Sequence, residues 1–284
     1  KPQTSQLTWA MALERREERL AFRGLHFLLT WPGLRAPSAA ALVLFLHGAG
    51  ERGPTDGTSL HLVKRHNLVW SLSPEAFVLA PQCPKGEEWL DKTELLAKLL
   101  KHVLKKLGKK VDQSRLCLAG FSLGGCGAWA LLLERPRLFA GVLCACGWWP
   151  NTPRLPKKRK AGHRDVLKRM PSALKELNIW MLHGSRDTAV DPMCSQEIFR
   201  ALGGGSHHAG TKGSEHSKLR SRAQKKRGCR VPFRRLSLLK EGHSAWRWVS
   251  RKANAGFKRM LGCWLMACRN PHAGPRLARE LAKL

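Results

Sequence analysis

A serine flanked by glycines in the segment CLAGFSLGGCGAW (117–129) is the first group in this sequence that could do covalent chemistry. Ser122 has Gly120 two residues before it and Gly124 two residues after it. A tight turn between a strand and a helix needs small residues at these places, because the helix passes close to the strand. The turn would present the hydroxyl at a helix N-terminus, where backbone N–H groups can stabilise an anion. The pattern predicts a nucleophilic serine; the simpler alternative is a glycine-rich turn with an incidental serine.

A nucleophilic serine needs a histidine as its base and a carboxylate that orients the histidine. On a mostly parallel sheet both partners follow later strands, the acid first and the histidine second. Asp187 follows the apolar segment LNIWMLHG, and His243 follows VPFRRLSLL. Asp191 is a competing carboxylate, although it could instead cap a helix. The non-catalytic alternative for His243 is an ordinary histidine in a surface loop. We expect Ser122, Asp187 and His243 to be the catalytic residues.

The anion formed during acyl transfer needs two backbone N–H groups. One comes from the residue after the nucleophile, which is Leu123, and the other from the loop after an early strand. In LFLHGAGERG (44–53) that loop starts at His47, and Ala49 is our candidate for the second donor. For His47 we expect a role in shaping the loop rather than in catalysis.

The elements that must position these residues alternate along the chain. Apolar segments predict strands in 25–31, 39–48, 76–82, 114–120, 139–147, 177–184 and 231–239, and periodic segments predict helices in 7–20, 91–108, after Ser122, in 193–202 and in 245–268. The second of these strands is apolar on both faces, as a central strand should be. The alternation predicts one α/β domain on a mostly parallel sheet with flanking helices.

The domain boundaries follow from the same segments. We expect an N-terminal helical extension (1–24), a catalytic domain (25–268) and a C-terminal tail (269–284). Residues 203–230 form a basic insertion before the last strand, with three glycines at its start and few apolar residues. Connections at such places are usually two to six residues long. We therefore predict that this insertion is disordered. A second basic stretch spans 153–164.

Five motifs together resemble the α/β-hydrolase superfamily. They are HGAGERG, VLAPQCPKGEEW, GFSLGGCGAWALLLERPRLFAGVLCACG, HGSRDTAVDP and GHSAW, in order between Leu25 and Leu265. They are similar to the branch of phospholipase/carboxylesterase-like and polyhydroxybutyrate-depolymerase-like esterases that is often labelled predicted peptidases. The resemblance implies a nucleophile at Ser122, an acid at Asp187 and a base at His243. It does not account for the basic insertion. The segment GWWP (147–150) fits either a substrate-binding rim or a cover over the core.

The charge of the chain brings in a second class of function. Lys and Arg number 51 against 20 Asp and Glu, which gives a formal net charge of +31. Such a surface attracts nucleic acids and anionic membranes, so binding of polyanions through the basic loops is a rival or additional activity. The basic residues are spread along the chain, however, and no familiar nucleic-acid-binding motif is present. Tyrosine is absent, which excludes tyrosine chemistry.

Cysteine usage bears on metal sites and compartment. The nine cysteines form no C-x-x-C pair of the kind that binds zinc. We expect mostly buried free thiols, which favour a reducing, cytoplasmic compartment. The chain begins at Lys1 rather than Met, so a targeting segment upstream stays an open alternative. No apolar run is long enough for a transmembrane span.

The leading hypothesis is a serine hydrolase that cleaves small-molecule or acyl esters through an acyl-enzyme and needs no cofactor or metal. A serine peptidase on the same fold, a polyanion-binding protein on a hydrolase scaffold and an inactive scaffold are the alternatives. The sequence leaves the oligomeric state open.

Overall fold

The computed structural model describes residues 15–283 except 35, 66–67, 151–171, 204–232, 252–253 and 273. Its strands are β1 (Glu17–Phe22), β2 (Leu25–Thr30), β3 (Ala40–Leu46), β4 (Phe77–Pro81), β5 (Val111–Phe121), β6 (Gly141–Ala145), β7 (Asn178–Gly184) and β8 (Arg234–Leu239). Its helices are α1 (Leu68–Leu72), α2 (Thr93–Leu107), α3 (Leu123–Glu134), α4 (Met193–Ala201), α5 (Ala245–Ser250), α6 (Ala255–Ala267) and α7 (Pro275–Ala282). Both basic stretches of the sequence, 153–164 and nearly all of 203–230, lie outside the described residues, and the predicted disorder of the insertion stays a prediction.

The eight strands form one sheet in the order β1-β2-β4-β3-β5-β6-β7-β8. β2 pairs antiparallel with β1 and β4, whereas the pairs from β4 through β3, β5, β6, β7 to β8 are all parallel. The predicted mostly parallel α/β sheet is confirmed. Because parallel strands all end at one edge, the loops after β3, β5, β7 and β8 meet there.

Helices cover both faces of the sheet. Leucines of α2 and most of α3 pack with α4 and α7 in one apolar core, and α1, α5 and α6 pack in the core on the other face. β3 lies between β4 and β5 and is buried at all its positions, as its two apolar faces predict. All cysteines that the structure describes are free thiols, and every one except Cys263 is buried.

Helix α2 follows its sequence signals with one exception. Its leucines at spacings of three and four residues are buried, and Gly108 follows its last residue with a positive φ of 54°. The helix begins at Thr93, however, and Asp91 lies in the 3₁₀ turn Trp89–Lys92 before it. An Asp at the start of the predicted segment 91–108 is a typical capping residue, but Asp91 does not cap this helix; the residue before the helix is Lys92, without a side-chain capping bond.

The predicted helix over 7–20 is wrong for residues 17–20, which lie in β1 of the central sheet, while 7–14 lie outside the described residues. Arg23 and Gly24 have φ values of 51° and 79° and join β1 to β2. Positive φ at both central residues is the two-residue hairpin geometry that matches strand twist. Pairing with β2 gives this segment backbone partners, and Leu20 and Phe22 then pack on the core from one face.

The C-terminal part differs from the sequence in two ways. The helix predicted over 245–268 is two helices, α5 and α6. In the segment expected to be a tail, residues 275–282 form α7, whose Leu277 is buried, and the Asn270 side chain donates to the carbonyls of Arg137 and Leu138. None of the described helices is long and apolar enough to cross a membrane.

Candidate active site

Ser122 lies at the sharp turn from β5 into α3. Its φ of 53° and ψ of −115° are unusual for a residue with a side chain, and such backbone conformations cost on the order of 1–3 kcal/mol. The Ser122 N–H donates to the carbonyl of Ala145 at 2.8 Å. A Cβ on Gly120 would lie 2.3 Å from the Gly124 carbonyl oxygen, and one on Gly124 would lie 1.9 Å from that of Leu46. The glycines are therefore required by contact between the helix start and the ends of two strands.

His243 lies in the loop that follows β8 and faces Ser122. Its Nε2 is 2.8 Å from Ser122 Oγ, and its Nδ1 is 2.8 Å from Asp187 Oδ2. The Asp187 side chain is fully buried, whereas that of His243 is 30% exposed. The ring of Phe121 lies 5.3 Å from the His243 ring, centroid to centroid. With Nδ1 donating to the carboxylate, Nε2 is free to accept the proton of the serine hydroxyl.

Asp187 is held by hydrogen bonds on both carboxylate oxygens. Oδ1 accepts the N–H groups of Ala189 at 2.9 Å and Val190 at 3.0 Å. Burial alone would raise the pKa of Asp187, but hydrogen bonds from His183, His243 and the Val190 N–H outweigh it and hold this pKa well below its ordinary value. The group is thus ionised at neutral pH and can orient the imidazole.

The competing carboxylate, Asp191, has a different role in the structure. Its Oδ1 accepts the N–H of Met193 at 2.8 Å, at the first residue of α4. The residue before the helix is Pro192, without a side-chain capping bond, so Asp191 binds the backbone at the start of α4 but does not cap the helix as the sequence suggested. The carboxylate within hydrogen-bond distance of the His243 ring is that of Asp187.

The two residues expected to donate to the anion, Leu123 and Ala49, lie in two different loops near Ser122. Leu123 is the first residue of α3, where N–H groups have no partner within the helix. Ala49 begins the 3₁₀ turn Ala49–Glu51 in the loop that follows β3. The close contact of Gly124 with the carbonyls of Leu46 and His47 brings the end of β3 against the start of α3.

His47 fixes the peptide that precedes Ala49. Its Nδ1 lies 2.7 Å from the Gly48 carbonyl oxygen, and its Nε2 accepts the Cys83 N–H at 2.9 Å. Burial lowers the pKa of His47 to about 4, so the ring is neutral and Nδ1 carries its proton. In a trans peptide the carbonyl and the following N–H point in opposite directions, so this bond also sets the direction of the Ala49 N–H. The structure agrees with the loop-shaping role expected for His47.

Comparison with known proteins decides the family. Residues 66–231 match the family model Esterase, described as "Putative esterase", which is more than half of the chain. The chain belongs to this esterase family. It is a carboxylic ester hydrolase with the α/β-hydrolase fold.

Solved structures share the fold of this esterase at low sequence identity. It is similar to TT1662 from Thermus thermophilus, with 23% identity, 89% of this chain and 99% of that chain covered, and a TM-score of 0.53. The esterase Pf2001 from Pyrococcus furiosus has 14% identity, 92% and 95% coverage and a TM-score of 0.55. A thermostable esterase has 19% identity and a TM-score of 0.54, and the match covers 87% of this chain but 63% of that protein.

The two tryptophans of GWWP belong to the core of the esterase rather than to an exposed rim. Trp148 and Trp149 are 8% and 2% exposed and lie in the same apolar core as α2 and α3. The Trp149 ring lies 5.6 Å from that of Trp129 in α3. Of the two alternatives left by the sequence, the structure favours a cover over the core.

Two residues near Asp187 were not anticipated from the sequence. His183, at the end of β7, has its Nε2 3.3 Å from Asp187 Oδ2, and Cys146 has its Sγ 3.5 Å from the His243 carbonyl oxygen. Potential ligand atoms of Cys146, His183 and Asp187 lie within 4.8 Å of one another, so the trio could in principle hold a metal ion. Hydrogen bonds already engage each of the three side chains. The sequence signal for the contact between His183 and Asp187 was their spacing, four residues apart across the end of a predicted strand.

A groove opens beside the Ala49 turn. It has a volume of about 610 Å³. Its walls combine backbone, short side chains and two cations, and they are formed by Ala49, Arg52, Gly53, Pro54, Ser59, Leu62, Lys85 and Gly86. The Arg52 guanidinium donates to the carbonyls of Ala49 at 3.2 Å and Glu87 at 2.9 Å, which fixes it at the groove wall.

Proposed function

We propose that this esterase cleaves carboxylic esters through a Ser122–His243–Asp187 triad and an acyl-enzyme intermediate. The observation that carries the proposal is the continuous line of hydrogen bonds from Ser122 Oγ through both His243 nitrogens to Asp187 Oδ2, each 2.8 Å long. It joins three loops at the carboxyl edge of the sheet, in the chain order typical of this fold.

In the acylation step Ser122 Oγ attacks the ester carbonyl carbon while His243 Nε2 takes the hydroxyl proton. The carbonyl oxygen becomes an anion, and the Leu123 and Ala49 N–H groups are the donors that we assign to it. When the tetrahedral intermediate collapses, the bond to the alcohol oxygen breaks and His243 gives its proton to the departing alcohol. Ser122 is left as an ester of the acyl group.

In the deacylation step a water molecule takes the place of the alcohol. His243 Nε2 removes its proton as the water oxygen attacks the acyl carbon, and the same proton then returns to Ser122 Oγ. The products are the free acid and the original enzyme. Asp187 stays ionised throughout and stabilises the imidazolium that forms in both steps, which fits its low pKa.

We assign part of the substrate to the groove beside Ala49, because this residue is both a groove wall and the proposed anion donor. Among the described residues, no carboxylate lies within ion-pair distance of Arg52 or Lys85. These two cations would favour an ester whose acyl or alcohol part carries a negative charge. A small-molecule ester of this kind is therefore our proposed substrate class.

The replacement Ser122→Ala tests the mechanism. Turnover of an activated ester such as a p-nitrophenyl ester should fall on the order of 10⁶-fold, because no other group can form the acyl-enzyme. Ser71→Ala, which changes a serine of α1 that donates to the Leu68 carbonyl, is the matched control and should keep full activity. A fluorophosphonate should label the wild-type protein at Ser122 and leave the Ser122→Ala variant unlabelled. Near-normal turnover by Ser122→Ala, or a label mapped to another residue, would show the mechanism to be wrong.

A further inference from the structure

His183 is a second histidine in contact with the acid of the triad, and it is fully buried. Its Nε2 is 3.0 Å from the Val190 carbonyl oxygen and 3.3 Å from Asp187 Oδ2. On the other side of the ring, Nδ1 is 2.7 Å from the Oγ of Ser195, a buried residue of α4. A buried histidine with three polar neighbours is fixed both in position and in tautomer.

The neighbours decide which nitrogen carries the proton. The Val190 carbonyl and the Asp187 carboxylate can only accept, so Nε2 of His183 must be the donor. The Ser195 hydroxyl can donate, and it satisfies Nδ1 when that nitrogen is unprotonated. The hydrogen on Nε2 is therefore shared between the Val190 carbonyl and Asp187 Oδ2, and this carboxylate oxygen faces N–H groups of two imidazoles.

We propose that His183 is a positioning residue for ester hydrolysis, which holds Asp187 Oδ2 toward His243 by donating its Nε2–H to this oxygen. The proposal rests on the triad described above. His183 does not touch the reacting atoms; it acts through Asp187. The line of hydrogen bonds then runs from Ser122 in the site to Ser195 in α4.

Two physical effects follow from this arrangement. The carboxylate of Asp187 is held on Oδ1 by two backbone N–H groups and on Oδ2 by two rings, so it cannot rotate without breaking charge-assisted hydrogen bonds. The His183 N–H also offsets part of the negative charge that the Asp187 carboxylate presents to His243. Removal of this donor should therefore make His243 a stronger base. Among the described residues, the Cys146 thiol also faces this carboxylate, and burial holds its pKa above the ordinary value.

The test uses two amides that differ by one methylene group. The amide nitrogen of His183→Gln can reach the place of Nε2 and keep the bond to Asp187. His183→Asn is too short to reach Asp187 but leaves a polar partner for Ser195. For a neutral ester we expect kcat to fall about tenfold in the Asn variant, with KM unchanged. The acid limb of its kcat/KM profile should move up by about half a pH unit, and the Gln variant should stay near wild type in both.

The outcomes separate a positioning role from a structural one. A loss of kcat with an unmoved acid limb and no rescue by Gln would mean that His183 only supports the fold, and wild-type behaviour of the Asn variant would also overturn the proposal. If neither variant folds, nitrogen NMR of the wild-type protein still decides, since an Nε2 of His183 without a proton contradicts the donor assigned here. The labelling of Ser122 tests the triad separately, so failure of the mechanism and failure of this inference are distinguishable.

Discussion

Replacing Asp187 with asparagine should disable the enzyme through the proton on His243 rather than through the fold. The variant Asp187→Asn has one oxygen and one NH₂ group where the wild type has two oxygens, so the amide can lie in either of two orientations. With the oxygen at the Oδ1 position, the N–H groups of Ala189 and Val190 keep their acceptor. The NH₂ group then faces Nδ1 of His243, and the His183 Nε2–H keeps the Val190 carbonyl as its acceptor.

The opposite orientation of the amide is much less favourable. It would turn the NH₂ group against two backbone N–H groups and leave these donors unsatisfied in a buried place, at roughly 1–3 kcal/mol each. The first orientation therefore prevails. In it, Nδ1 of His243 must accept, so its proton moves to Nε2 and points at Ser122 Oγ. The histidine can no longer take the serine proton, and we expect a loss of about 10⁴-fold in kcat, or about 5 kcal/mol in the barrier.

The assay is release of nitrophenolate from a p-nitrophenyl ester, with thermal unfolding measured on the same samples. Asp191→Asn is the matched control, because it removes the same charge four residues away while its amide oxygen can still accept the Met193 N–H. We expect it to stay within about threefold of wild type. If Asp191→Asn proves the damaging change and Asp187→Asn keeps most of the activity, the assignment of the acid is wrong.

Two further predictions concern the insertion and the groove. Replacing 204–229 with a short Gly/Ser linker should change ester turnover less than about threefold, because α4 ends and β8 begins at the edge of the sheet opposite to His243. The affinity for nucleic acid should weaken, and its dependence on salt concentration should become shallower. Abolished turnover in a folded deletion variant would instead make the segment part of the site. Lys85→Gln should lower kcat/KM about fivefold for a carboxylate-bearing ester but not for its neutral analogue. Lys101→Gln, which removes an exposed charge in α2, should affect neither ester, and equal effects of both replacements would refute the groove assignment.

The central sheet and the turn at Ser122 were predictable because their sequence signals are local and agree with their packing. β3 is apolar at each position and is buried on both faces. A side chain on Gly120 or Gly124 would collide with backbone carbonyl oxygens, so no other residue type would fit at these two positions. At such positions the residue type follows directly from the space and burial that the fold allows, so it can be read from the sequence.

The N-terminal strand could not be predicted, because its structure depends on a distant partner. The segment EERLAF alternates half-buried and exposed residues over only six positions. Together with the charged residues before it, this segment has a pattern that is typical of a surface helix. What decides its conformation is the edge of β2, with which it forms a register from Glu17 opposite Thr30 to Phe22 opposite Leu25. Tertiary pairing outweighs a weak helical preference here.

In the site, too, some features follow from the local sequence and others depend on distant packing partners. Chain order was enough to place Ser122, Asp187 and His243 at one edge of the sheet, since parallel strands end together. It could not indicate that Asp187 is shared by two imidazoles, because His183 lies inside an apolar strand end and its partner Ser195 lies on a helix. A histidine on a buried strand needs acceptors and donors in fixed directions, and these come from Asp187 and Val190 in the loop after β7 and from Ser195 in α4. If His183 positions Asp187 as we propose, the base of the proposed triad depends on α4, a helix that contributes none of the three catalytic residues.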